Sequence, residues 1–168
     1  MSSNLHQASV GVFVQYLTSL TTILAKAAAH AEAKKIDPAV FVNARIAPDM
    51  FALARQVQIA TDHAKGACAR LANVDVPSFA DTEISLPELQ QRITKTIEFI
   101  KDLKPAQFDG ASDRDVTLTI AGQKHSWKGS IYLSHFALPN FFFHATTTYN
   151  ILRHNGVEVG KRDFLGSF

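Results

Sequence analysis

The sequence is poor in cysteine and in recognisable catalytic motifs. Its 168 residues include one cysteine, Cys68, so no disulfide bond can form within the chain. Cys68 lies in a run of small residues, where a packed thiol is a better explanation than a nucleophile. The G-x-S-x-G, G-x-G-x-x-G, H-E-x-x-H and C-x-x-C patterns and the P-loop do not occur. A reaction class therefore cannot be assigned from a short motif.

The chain also carries little net charge. It has 17 lysines and arginines against 15 acidic residues, a formal charge of +2, and its basic residues are scattered. Without a basic stripe to follow a phosphate backbone, we expect no nucleic-acid partner and no helix-turn-helix DNA-binding role. No uninterrupted apolar run reaches the roughly 20 residues of a membrane-spanning helix, and the first residues do not resemble a leader. We expect a cytoplasmic protein with no membrane partner.

The sequence contains enough hydrophobic residues to form one core. Hydrophobic residues make up 46% of it, and its length suits a single domain over residues 1–168. Four segments repeat apolar residues at steps of three and four, which predicts four amphipathic helices. These cover residues 5–33, 47–72, 85–103 and 130–154. We expect Pro48 to begin the second helix, Ser85 to cap the third, and Pro139 either to kink the last helix or to mark its start.

A short segment before the last helix has a different period. Residues 116–120 alternate in polarity, 121–124 offer a turn, and 125–127 return the chain, which predicts a β-hairpin. The fold class is therefore all-α: an antiparallel four-helix bundle with a short β-hairpin before the last helix.

Two histidines on different predicted helices are candidates for a site. His63 shares a flank of the second helix with Gln56 and Asp49, and His144 shares a face of the fourth with Asn140 and Thr148. Side chains on facing helices can converge in a bundle core. The alternative is that each imidazole makes one hydrogen bond and packs.

Three consecutive aromatics, Phe141, Phe142 and Phe143, precede His144. Together they cover most of the helix circumference, so we expect this turn to be buried on nearly all sides. Core packing plus a subunit interface explains them, and an aromatic wall for a small apolar molecule is the alternative. The apolar tail, Phe164, Leu165 and Phe168, is expected to dock on the bundle.

The sequence resembles the DinB/YfiT-like superfamily, and in particular an uncharacterised domain-of-unknown-function branch of it. The segments that carry the resemblance are residues 47–51, 56–65, 138–144 and 151–165. The resemblance spans nearly the whole chain. It implies an up-down-down-up bundle, a homodimer, and a divalent metal such as zinc, nickel or manganese held by three histidines.

Carried over by position, this resemblance places two of the three metal ligands on His63 and His144 and the third on Asn140. A carboxamide is a weak ligand for metals that prefer imidazole. Either His135 replaces it after a kink at Pro139, or water, Asp49 or Asp62 completes the shell, or the site has lost its metal.

The resemblance leaves two functions open. One is a metal-dependent, thiol-transferase-like enzyme with a degenerate metal site, acting with a low-molecular-weight thiol. In a metal-free variant, His63 or His144 would serve as a general base. The other is a non-catalytic homodimer that binds a small apolar molecule or acts as a scaffold.

Overall fold

The four predicted amphipathic segments are helices in the structure, a computed structural model that describes residues 5–167. In chain order the helices are α1 (Val12–Lys34), α2 (Ala39–Asn43), α3 (Leu53–Ala72), α4 (Leu86–Asp102), α5 (Gly129–Ile131), α6 (Leu138–His154) and α7 (Lys161–Leu165). The strands β1 (Asp115–Ile120) and β2 (Gln123–Lys128) form an antiparallel hairpin. A π-helical turn, Gln7–Gly11, precedes α1, another, Tyr132–Ala137, joins α5 to α6, and a 3₁₀ turn covers Pro105–Phe108.

Pairs of contacts fix the direction of the four long helices. Between α1 and α4, Gln90 Nε2 donates to Thr21 O and His6 approaches Leu103 O, so these helices are antiparallel. Between α3 and α4, Gln58 donates a hydrogen bond to Glu83, and Thr61 accepts one from Arg92. These two helices are therefore parallel. Between α3 and α6, Gln56 is hydrogen-bonded to His144, and Arg70 donates to Tyr132. These two helices are therefore antiparallel. The predicted fold, an up-down-down-up four-helix bundle with a hairpin before the last helix, is confirmed.

Small residues along α3 let its neighbours approach closely. Ala60, Ala64 and Ala67 have no exposed surface, and they lie on the side of α3 that faces the core. Larger side chains on the other helices, such as Phe13 and Phe141, fill the space between. Each such aromatic stabilises the fold by about 1.5–3 kcal/mol through burial.

The start of the second long helix differs from the prediction. We expected it at residues 47–49, with Pro48 in the first turn, but residues 47–50 form a turn closed by Met50 N–H donating to Ala47 O. Ala52 is extended, with ψ 165°, and α3 begins after it at Leu53. Proline at the second position favours a β-turn as much as a helix start, so the sequence pattern was ambiguous here.

The N-terminus of α4 agrees with the prediction. Ser85 Oγ accepts from Glu88 N–H, and the Glu88 carboxylate accepts from Ser85 N–H, which is a capping box.

Parallel α3 and α4 are linked by an extended connection, residues 73–85, that Arg92 holds in place. The Arg92 side chain is 1% exposed, and its guanidinium meets three carboxylates, one hydroxyl and one backbone carbonyl. These contacts are Asp62 (2.9 Å), Asp81 (3.0 Å), Glu83 (3.1 Å), Thr61 Oγ1 (2.8 Å) and Ala80 O (3.0 Å). One side chain of α4 therefore joins α3 to the connection.

Pro139 is accommodated without breaking the last helix. The chain is helical from Gly129 to His154, and the π-helical turn Tyr132–Ala137 lies just before the proline. Proline has no N–H, so it disturbs hydrogen bonding in the preceding turn. Asn140 Nδ2 donates to Phe136 O at 2.7 Å, which satisfies a carbonyl of that turn.

The base of the hairpin is pinned to the bundle at Gly129. Gly129 N–H donates to Arg114 O at 2.9 Å, and a Cβ at this position would lie 2.0 Å from Ala111 O. The backbone therefore passes closer than any residue other than glycine allows.

The C-terminal segment docks on α1, as predicted. The Phe164 ring contacts Tyr16 and Tyr149, and Lys26 pairs with Asp163 at 2.7 Å. Leu165 is half-buried. Phe168 lies outside the described residues.

The first helix has nearly the bounds that the sequence indicated. Gln7–Lys34 is a helix long and apolar enough, by length and composition alone, to cross a membrane. Phe13, Leu17, Leu20 and Ile23 on this helix have no exposed surface because they form part of the bundle core. A core helix of this kind passes the same test of length and composition.

Candidate functional site

The candidate site lies where α3 and α6 face each other, at two histidines. His63 on α3 and His144 on α6 are both half-buried, and their ring centroids are 5.9 Å apart with planes inclined by 14°. The antiparallel pairing of the two helices brings them together. The structure therefore places these two predicted site residues side by side.

A short hydrogen-bond relay fixes the tautomer of His144. Gln56 Nε2 donates to Phe51 O at 3.0 Å, and because a carbonyl can only accept, the Gln56 amide must point its oxygen the other way. That oxygen lies 2.7 Å from His144 Nδ1, which must therefore carry the proton. His144 Nε2 is left with a free lone pair. Such a relay is the usual way in which a protein orients a reactive or ligating imidazole.

Both imidazoles are held in the neutral form. Burial lowers the pKa of His63 to about 4; His144 and Arg70 also oppose its protonation, whereas Asp62 favours it. Burial, with a smaller effect of Arg55, lowers the pKa of His144. At neutral pH the site therefore offers two uncharged rings with lone pairs.

The depressed pKa of His63 predicts a loss of stability in mild acid. Between pH 6.5, the ordinary pKa of histidine, and about pH 4, His63 is protonated in the unfolded chain but neutral in the folded chain. The stability that comes from keeping His63 neutral is fully present above pH 6.5. As the pH falls toward 4, the free energy of unfolding decreases by about 2–3 kcal/mol. Urea unfolding at pH 7.5 and pH 4.5 measures it.

His63→Gln should reduce this pH dependence, since it removes the titrating group. His135→Gln changes an exposed imidazole and should leave it unaltered. Equal pH dependence in the parent and His63→Gln would contradict the assignment.

The other predicted site residues do not complete a metal centre. Asn140 uses its amide nitrogen on Phe136 O, and Thr148 is buried and donates to His144 O at 3.0 Å. His135 is exposed on the π-helical turn. Within residues 5–167, no three histidine, cysteine, aspartate or glutamate side chains lie where they could share a metal ion.

The two acids considered as replacements are placed elsewhere or already paired. Asp49 is exposed in the turn before α3. Asp62 binds Lys65 at 2.8 Å and Arg92 at 2.9 Å. The donor set is thus two imidazoles with at most a carboxamide oxygen beside them, whereas a catalytic zinc usually has three ligands drawn from histidine, cysteine, aspartate and glutamate.

A row of rings that the sequence analysis did not anticipate extends from His63 to the hairpin. Phe136 lies 5.9 Å from His63 and stacks on Trp127 at 5.2 Å. Tyr132 lies 5.9 Å from Phe136 and accepts from Arg70 Nη1 at 3.2 Å. The position of Arg70, seven residues after His63 on one helix flank, was the available signal in the sequence.

The three consecutive phenylalanines have different surroundings. Phe141 is fully buried against Phe13, and Phe142 is half-buried against Tyr16. Phe143 is 57% exposed and contacts the His144 ring. The prediction that this turn is buried on nearly all sides was therefore wrong for Phe143.

Comparisons with known proteins agree with this architecture. The family model for DUF1993, described as a domain of unknown function, matches residues 5–165. The crystal structure of a DinB family member from Shewanella denitrificans superposes with a TM-score of 0.92 and is 42% identical, covering 98% of this chain and 93% of that one. No curated protein matches the sequence.

Proposed function

The chain belongs to the DUF1993 family of DinB-like domains of unknown function, and from this premise we propose that it is a degenerate relative of the metal-dependent DinB enzymes. In this proposal His144 acts as a metal-independent general base toward a small organic molecule. The observation that carries the proposal is the relay from Phe51 O through Gln56 to His144, which leaves Nε2 unprotonated.

His144 is better suited to this role than His63. A general base works best when its pKa lies near the working pH. The pKa of His63 is about 4, so this ring is a poor proton acceptor at neutral pH. We assign His144 as the base and His63 as the neutral ring beside it.

Thiol activation is less well supported by this donor set. A free thiol has a pKa of about 8.5, and the pKa of His144 lies below its ordinary 6.5, so proton transfer from thiol to imidazole is unfavourable by more than roughly 2 pKa units. A low-molecular-weight thiol therefore suits only a site that still holds a divalent metal.

A divalent zinc, nickel or manganese ion enters the proposal as a weakly held ligand. His63 and His144 would be its protein ligands, with Asn140 Oδ1 or water beside them. Fewer imidazole ligands lower the affinity, so we expect the purified protein to hold metal well below stoichiometry, even after incubation with each ion.

Two measurements test the proposal together. Metal content by plasma mass spectrometry should be low in the parent, in His63→Ala and in His144→Ala alike. Nitrogen-15 NMR of the histidine rings at pH 7.5 should show His144 protonated at Nδ1. Gln56→Ala should lose this tautomer preference, and Gln91→Ala, an exposed glutamine of α4, should keep it.

Two results would contradict the proposal. Stoichiometric metal in the parent, lost in both histidine variants, would favour the metal-dependent enzyme instead. A proton on His144 Nε2 in the parent would remove the base.

The second candidate function is a non-catalytic homodimer that binds a small apolar molecule in the cytoplasm. It is favoured by two exposed aromatics beside the relay, since Phe51 is 56% exposed and Phe143 57% exposed. Exposed apolar residues mark a binding surface where they form one contiguous patch. This function does not require His144 to accept a proton.

A further inference from the structure

Arg70 is a half-buried guanidinium without a carboxylate partner among residues 5–167. Its hydrogen bond is to Tyr132 Oη at 3.2 Å, which uses one of its five donors. By contrast, Arg55 on the same helix and Arg92 on α4 are both paired with acids. Arg70 is therefore the cation of this region whose charge is not compensated.

The sequence makes room for this guanidinium with a glycine. A Cβ at Gly66, one turn earlier on α3, would lie 2.5 Å from Arg70 Nη1. The Arg70 side chain thus lies back along the helix over Gly66, toward His63. Glycine within a helix is less favourable than alanine, and here it provides the space in which the guanidinium lies.

The surroundings of Arg70 favour an anion with a flat apolar body. Arg70 adds to the forces that hold His63 neutral, so its positive field reaches the histidine pair. Asp62, the acid that acts on His63 in the opposite direction, is already bound by Lys65 and Arg92. On the hairpin side, Trp127 and Phe136 are half-buried and stacked 5.2 Å apart.

We propose that Arg70, held over Gly66 beside His63, binds the carboxylate of a small aromatic acid whose ring packs on Phe136 and Trp127. A guanidinium can bind a carboxylate through two parallel hydrogen bonds, which fixes its orientation. The ligand would then lie between Arg70 and the histidine pair. The inference rests on the proposed function, since it names the substrate class of the same site.

Benzoate, with benzamide as its neutral analogue, tests this assignment by NMR titration of the full chain. Benzoate should shift the amide signals near Arg70 and Phe136 and should bind roughly tenfold or more tightly than benzamide, because the charge-assisted bonds are absent with the amide. Arg70→Gln should weaken benzoate binding by a similar factor. Arg153→Gln, which alters an exposed arginine of α6, should bind as the parent does.

Gly66→Ala separates the binding role from folding. Alanine improves the helix and displaces the guanidinium, which is the mobile end of a long side chain. We expect an unfolding temperature equal to or above that of the parent, together with the same loss of benzoate affinity as Arg70→Gln. Equal affinity for benzoate and benzamide, no binding of either, or full benzoate binding by Arg70→Gln or Gly66→Ala would overturn the assignment.

The outcome is independent of the test of the base. Benzoate selectivity that depends on Arg70, in a protein whose His144 carries its proton on Nε2, would support the carboxylate site and reject the proposed function. The correct tautomer without benzoate selectivity would do the reverse.

Discussion

Arg92→Met is expected to destabilise the protein by about 3–5 kcal/mol, because it removes one partner from a buried charge network and leaves the others in place. The Arg92 side chain is 1% exposed, and Glu83, one of its partners, is 13% exposed. Without the guanidinium, Glu83 keeps its charge in a poorly hydrated position. The thermal midpoint should fall on the order of 10 °C, measured by circular dichroism at pH 7.5.

Matched variants distinguish the network from the loss of an arginine in general. Arg153→Met removes an exposed arginine and should cost less than about 1 kcal/mol. Arg92→Lys keeps the charge but cannot reach all five partners, so it should fall between the two. A cost for Arg92→Met within the range of Arg153→Met would show that the carboxylates are well solvated without it.

Gly129→Ala is expected to destabilise the protein by about 3 kcal/mol or more. The added Cβ would lie 2.0 Å from Ala111 O, and Leu71 Cδ2 is 3.1 Å away on another side. Backbone cannot swing aside as a flexible side chain does, so the base of the hairpin must shift. The hydrogen bond from Gly129 N–H to Arg114 O would be strained as well. Urea unfolding measures the loss.

Gly160→Ala is the control for the loss of glycine itself. Gly160 has no atom within 4 Å of a Cβ position, and its φ of −132° suits any residue. This variant should unfold within about 0.5 kcal/mol of the parent. A Gly129→Ala protein as stable as Gly160→Ala would mean that the hairpin and helix can separate at little cost.

Most of the fold follows from local signals in the sequence. Ser85 and Glu88 specify the start of α4 because they satisfy each other's backbone donors, and the alternation from residue 116 specifies the hairpin. The prediction that Pro48 begins the second long helix was wrong because proline begins turns as readily as helices. The choice between a turn and a helix depends on contacts that form on folding. One of these is Leu53 N–H donating to Ala44 O.

The candidate site was partly visible in the sequence. Helix spacing placed His63 on one flank of its helix and His144 on a polar face of another, and the fold brings the two rings together. The Gln56 relay needs the register between two helices, which sequence periodicity does not provide. The sequence did not single out Arg70, because a lone arginine on a helix is usually solvated. The arginine lies over Gly66 instead, and this depends on a side-chain conformation that the sequence does not specify.

In the proposed site, the π-helical turn Tyr132–Ala137 makes the placement of the aromatic rings depend on the number of residues in the last helix. A π turn is an α-helix with one residue inserted. Deleting one residue there would rotate everything before it by about 100° relative to α6. Tyr132 and Phe136 would then turn away from α3 while His144 stayed in place. Substitutions can tune the arginine side or the histidine side of this site separately, but a single-residue deletion would uncouple them, so relatives that share the site should also share this count of residues.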